Sequence, residues 1–114
     1  MKIQVQAGEH VIVYALNNSR ASKELYAQLP LRTTVENFST NEKVFYPPQK
    51  LSIAGAPFVD AQKGTLAYYA PWGDVVMFYE PFGQGSGLYE LGQAVSGMDE
   101  IEQLTGTITV TAAG

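Results

Sequence analysis

The chain has 114 residues, 46% of them hydrophobic and 16% charged, which suits one domain (residues 1–114) burying roughly two-thirds of the surface its unfolded form exposes. Eleven acidic against seven basic residues give a net charge of -4 without any Lys or Arg run, which argues against a nucleic-acid partner, and the absence of cysteine excludes disulfides, a thiolate nucleophile and Cys-based zinc sites. The N-terminus lacks the apolar core of a secretory signal and no stretch approaches about 18 uninterrupted apolar residues, so the expectation is a soluble, cytoplasmic protein that makes no membrane contact.

Alternation dominates the start of the chain. Ile3 and Val5 share one strand face, Ala7-Gly8-Glu9 turns the chain, and Val11, Val13 and Ala15 alternate in the return strand. Asn17-Asn18-Ser19 supplies N-cap residues for a helix near 19–29 that carries Ala21, Leu25, Ala27 and Leu29 and stops at Pro30. Leu31 to Phe38 and Val44 to Tyr46 read as strands separated by a Ser-Thr-Asn turn, and Pro47-Pro48 blocks further pairing. Residues 47–63 read as an irregular connection with a short strand at Leu51 to Ile53. Strands from Leu66 to Ala70 and from Val75 to Tyr79 flank a Pro-Trp-Gly-Asp turn and are apolar on both faces, as in strands covered on two sides. PFGQGSG forms a mobile loop and Leu88 to Val95 another strand. Ser96 with Asp99 fits a capping box that opens a short helix through Leu104, where Asp99 and Glu100 suit the positive helix end, and Thr107 to Thr111 closes the set. About eight strands and two helices result, and a closed barrel removes the exposed strand edges.

Residues that commonly carry chemistry are sparse. His10 lies beside a turn with neither a second His nor a Cys at ligand spacing, so no metal site is expected, and no nucleophile-elbow sequence surrounds Ser86 or Ser96. Gly83 to Gly87 follows Pro81-Phe82 and opens no long helix, which removes the phosphate-loop context, and no cofactor is implied. Glu36 and Glu80 are the candidate acid pair, with solvated strand positions as the default. Aromatic residues are plentiful: Tyr46, Tyr68, Tyr69, Trp72, Phe78, Tyr79, Phe82 and Tyr89 lie near turns or on facing strands.

Two stretches resemble the cyclophilin fold. Gly64-Thr-Leu66 through Gly73 and Phe78 is similar to its central strand pair, and Leu91-Gly92 followed by Gly97-Met98-Asp99 resembles its Phe-Gly strand end and Gly-Met helix start at the same spacing. YYAPWG, AQLPL, NEKVFYPP and SGLYELG resemble small bacterial cyclophilin-like proteins across most of the chain, whereas Thr34 to Phe38 imitates the cyclophilin first-helix motif at a place where a strand is expected. The resemblance implies a mainly β, closed eight-stranded barrel with two short helices. Active cyclophilins isomerise X-Pro bonds against a barrier of about 18–20 kcal/mol with an Arg donor, a Gln, a His and an apolar proline seat. Here no Arg falls between Phe38 and Gly64, Val75 stands where the Gln belongs, Met77 where the second Phe belongs and Leu88 where the His belongs. By analogy with the family, Leu66, Tyr68, Val76 and Phe78 take core positions, and Tyr69, Val75, Met77 and Tyr79 share the opposite face with Leu88. The leading expectation is a non-catalytic binding module whose outer cleft, lined by Tyr69, Trp72, Val75, Met77, Tyr79 and Leu88, takes a small molecule or an extended, Pro-containing peptide segment. Two rival readings are a weak peptidyl-prolyl isomerase using Arg32, Gln84 or a tyrosyl hydroxyl as donor, and a homodimer paired through the same face.

Overall fold

A computed structural model describes residues 1–113 of the chain. Its first hairpin joins β1 (Lys2–Ala7) to β2 (His10–Leu16). Ala7 pairs with His10, which leaves the two-residue loop Gly8-Glu9 between them, and a loop of even length places odd residues of one strand opposite even residues of the next. Ile3 and Val5 therefore share the buried face with Ile12, Tyr14 and Leu16, whereas Val11, Val13 and Ala15, which alternate in the return strand, lie half-buried on the other face.

Helix α1 (Arg20–Ala27) starts at Ser19, whose side chain accepts a hydrogen bond from the Ser22 N–H at 3.2 Å, and it ends two residues short of the predicted limit, with Gln28 as C-cap. Asn17 Oδ1 accepts from the Ser19 and Ser22 hydroxyls at 2.6 and 2.7 Å, and Asn17 Nδ2 donates to the Glu90 carbonyl at 2.7 Å, so the helix start is tied to a distant strand. Ala21 and Leu25 go into the core.

The run from Leu31 to Phe38 is divided by Val35 into β3 (Leu31–Thr34) and β4 (Glu36–Phe38). These are the two outer strands of one antiparallel sheet that also contains β5 (Glu42–Phe45), β6 (Thr65–Tyr69), β7 (Asp74–Phe78), β8 (Leu88–Ser96) and β9 (Thr107–Ala113), in the order β3-β9-β1-β2-β8-β6-β7-β5-β4. The barrel thus has nine strands rather than eight and is nearly closed. Its seam is bridged by the chain at Val35, whose N–H donates to the Gly106 carbonyl at 2.9 Å. Leu51 to Ile53 forms no strand. Instead Leu51 is buried and its N–H donates to the Tyr68 hydroxyl at 3.1 Å.

The predicted capping box does not form. Ser96 is the last residue of β8, and Gly97, at φ +75°, occupies the N-cap of a 3₁₀ helix (Met98–Gln103) with no side-chain cap. Close packing decides this segment: a Cβ on Gly97 would lie 2.0 Å from the Val11 carbonyl oxygen, and one on Gly92 would lie 2.2 Å from that of Ala15. Both glycines let β8 press against β2. Ile101 and Leu104 then join Ile3, Val5, Phe45, Leu66, Leu91, Ile108 and Val110 in the barrel interior. No helix among the described residues is long and apolar enough to cross a membrane.

Candidate functional site

The hairpin from β6 to β7 settles which side chains face outward. Tyr69 pairs with Asp74, the four residues Ala70 to Gly73 form the turn, and the Gly73 N–H donates to the Tyr69 carbonyl at 2.9 Å. The loop again has even length, so Leu66 pairs with Met77 and Tyr68 with Val75. These four side chains are buried together in the barrel interior. The expected grouping of Val75 and Met77 with Tyr69 is therefore corrected. Ala67, Tyr69, Val76 and Phe78 share the outer face, and Val76 and Phe78 are core residues only of a second, smaller cluster there.

That outer cluster is sealed by the loop before β6 and by the first residue of β8. Val59, Ala61 and Leu88 pack over Val44, Ala67, Val76 and Phe78. The loop after β7, expected to be mobile, is pinned by the N–H groups of Phe82 and Gly83, which donate to the Ala61 carbonyl at 2.9 and 3.0 Å, and by the Ala61 N–H, which donates back to Gly83 at 2.8 Å. Phe82 also stacks on Phe78 with ring centroids 5.6 Å apart.

Where this cover ends, a cleft of ≈ 270 Å³ opens on the outer face. Phe38, Tyr69 and Trp72 form one aromatic wall, Phe82, Gly85, Ser86 and Leu88 line it from the loop side, and Glu42, Asp74 and Val76 come from β5 and β7. Trp72 is 50% exposed and meets Phe38 edge-on at 5.1 Å and Tyr69 at 5.5 Å, with interplanar angles of 82° and 75°. Three residues of the expected site, Tyr69, Trp72 and Leu88, come together here. Val75 and Met77 lie behind the sheet, and Tyr79 is half-buried against the barrel core rather than in the cleft lining.

The two carboxyl groups are the part that sequence reasoning missed. Asp74 is 1% exposed and Glu42 8%. Burial pushes the Asp74 carboxyl up to about 6, with its own backbone N–H opposing the rise and the Glu36 charge adding to it. Glu42 is pushed up to about 7, by burial first and by Asp74 second. Asp74 Oδ1 meets no hydrogen-bond partner. The ion pairs found among the described residues, His10–Glu100, Arg20–Glu24 and Lys63–Asp99, leave both groups out. A signal existed in the sequence: Asp74 opens a strand, DVVMF, that is otherwise apolar on both faces, but its position after Pro-Trp-Gly gives it an ordinary reading as a turn residue.

The other candidates separate. Glu36 acts on Asp74, whereas Glu80 acts on Lys63 and Tyr79, so the two do not form an acid pair. His10 Nδ1 stands 3.3 Å from Glu100 Oε1. Ser86 lines the cleft without any histidine beside it, and no Arg or Lys lines it either. No group of three or more His, Cys, Asp or Glu side chains that could hold a metal ion occurs among the described residues. The arrangement offers aromatic surface, the hydroxyl-bearing residues Tyr69 and Ser86, and two carboxyls that gain or lose protons near neutrality.

An antiparallel, nearly closed barrel with short helices and an outer cleft over its central strands defines the class. The sequence profile of the cyclophilin-like family matches residues 5–113, and the chain belongs to that family. In fold it is similar to a hypothetical protein of Archaeoglobus fulgidus known from a solution structure, with a TM-score of 0.75 and 16% sequence identity over 99% of this chain and 95% of the other. No curated protein sequence matches the chain significantly.

Proposed function

We propose that the protein is a non-catalytic binding module whose outer cleft takes a small molecule or a single residue of an extended peptide segment. The observation that carries this reading is the aromatic wall: Trp72 stays half exposed between Phe38 and Tyr69 at the mouth of a concavity whose remaining walls are mostly apolar. Large aromatics left open beside a concave, largely apolar lining with a few polar groups are the usual composition of a ligand site. A volume of ≈ 270 Å³ falls just below the range of about 300–1,000 Å³ that drug-sized ligands occupy, which favours a compact ligand over a dinucleotide or a long peptide. The lining carries no Arg or His to favour a twisted prolyl amide, and this weighs against isomerase activity.

Two-dimensional amide NMR of the labelled protein tests the proposal by titration with Pro-containing peptides and a small-molecule fragment set. Exchange spectroscopy on any peptide that binds reads cis/trans catalysis at the same time. Shifts clustered at Tyr69, Trp72, Val76 and Leu88 support the binding site. Accelerated exchange would replace the non-catalytic reading with an isomerase, and no shift with any probe would overturn the site.

A further inference from the structure

We propose that the ligand of this cleft is a small organic cation of the alkylammonium type, held by the Asp74 and Glu42 carboxylates and walled by Trp72, Tyr69 and Phe38. This rests on the reading of the cleft as a binding site and specifies what that site selects.

Three independent features converge. The first is an unmatched negative charge. A buried carboxyl normally has a cationic or hydrogen-bonding partner, because its ionised form is otherwise costly to remove from water. Of the seven basic residues of the chain, none lines the cleft, and the charge acting on each of its carboxyls is another carboxylate, Asp74 on Glu42 and Glu36 on Asp74. The second is the orphaned oxygen: Asp74 lines the cleft at 1% exposure, and its Oδ1 has no hydrogen-bond partner among the described residues. A neutral ligand of apolar shape would leave that oxygen as it is, whereas a cation supplies the missing charge.

The third feature is the wall. Phe38 and Tyr69 each stand near a right angle to Trp72, in edge contacts that join the three rings into one aromatic side of the cleft. Aromatic faces attract a cation through the ring quadrupole, the more strongly once water is excluded. A metal ion does not fit this lining: fewer than three ligating side chains come together, and aromatic walls do not replace the oxygen shell that hard cations keep. A quaternary alkylammonium ion has no N–H groups and is weakly hydrated, so it gives up less on entering.

Ionisation of the site sets its pH response. The titratable residues that line it are Glu42 on β5, Tyr69 on β6 and Asp74 on β7, and the charge of Glu36 on β4 acts on Asp74 and on Tyr46 just beyond β5; none of these groups is basic. The carboxyls of Asp74 and Glu42 lose their protons as pH rises through about 6 and about 7, so cation affinity rises over that interval.

The test uses choline and its uncharged isostere, in which carbon replaces the quaternary nitrogen. Binding is read from the fluorescence of Trp72, the single tryptophan of the chain, at pH 5 and pH 8. The expected result is saturable binding of choline at pH 8, at least about tenfold tighter than the isostere and weaker at pH 5. Asp74→Asn and, separately, Glu42→Gln should each reduce that preference, so that loss of folding in one variant leaves the other to decide. Equal binding of choline and isostere overturns the cation proposal while leaving the cleft as a binding site. Silence of Trp72 toward both probes, with fragment shifts still mapping to the cleft, overturns the cation proposal alone. Silence in both experiments overturns the cleft reading as well.

Discussion

Replacing Asp74 by Asn should change how the protein's stability depends on pH. Asp74 moves from an ordinary value of 3.8 to about 6 on folding and Glu42 from 4.5 to about 7, so the folded protein binds more protons than the unfolded chain. The stability these groups contribute is complete below their unfolded values and is lost as pH rises through about 6 for Asp74 and about 7 for Glu42. At about 1.36 kcal/mol per pH unit of displacement, Asp74 loses about 1.4 kcal/mol and Glu42 at most about 2.5 kcal/mol between pH 5 and pH 8. Part of the Glu42 contribution is repulsion from Asp74, which brings the joint loss to about 2–4 kcal/mol. Against the usual 5–15 kcal/mol of a small domain this is large, and at about 2 kcal/mol per molar urea it moves the unfolding midpoint by about 1–2 M. Asp74→Asn removes one titrating group and its repulsion on the other, so its loss over the same interval should be no more than about 2 kcal/mol. Urea unfolding followed by circular dichroism at pH 5, 6, 7 and 8 measures both proteins. Wild-type stability that is flat or rises with pH, or a slope unchanged in the variant, would refute the burial of these carboxyls without a cationic partner.

Further substitutions separate interior from cleft. Met77→Ala should cost about 2–5 kcal/mol because Met77 is fully buried in the barrel, whereas Trp72→Ala should change stability by about 1 kcal/mol or less while abolishing probe binding; urea unfolding paired with NMR titration distinguishes them. Gly97→Ala should cost about 3 kcal/mol or more, since the added carbon meets the Val11 carbonyl and the backbone is left-handed there, and thermal melts would show it. Ser19→Ala removes the N-cap of α1 and should lower stability by about 1 kcal/mol, read from the same melts.

The elements themselves were legible in the sequence because alternation, caps and turn residues announce them: the first hairpin, the helix after Ser19, the strand pair around Pro-Trp-Gly-Asp and the terminal strand all lie where the pattern puts them. What the pattern could not decide was which face of a strand turns inward where both faces are apolar. VIVYAL in β2 and VVMF in β7 carry hydrophobic residues at odd and even positions alike, so hydropathy is silent and the length of the preceding loop decides. Two residues in one hairpin and four in the other reverse the numbering parity in both, which is why Ile12 and Tyr14 rather than Val11 and Val13 face inward, and why Val75 and Met77 exchanged faces with Val76 and Phe78. The same reversal hid the carboxylates. Once Val76 faces outward so does Asp74, and a residue read as part of a turn becomes a buried acid in the cleft. Phe38 joins it through the short β4–β5 hairpin, but that hairpin reaches the cleft only through the pairing of β5 with β7, as of Glu42 with Phe78 and Val44 with Val76, contacts distant in sequence that no local pattern encodes.

A crystal structure of the protein grown with saturating choline tests most directly the claim that the outer cleft is the binding site and that it selects cations. Density for choline against Trp72 and Tyr69, with its quaternary nitrogen beside the Asp74 carboxylate, is the expected result. An empty cleft, or choline seated elsewhere on the barrel, would contradict it.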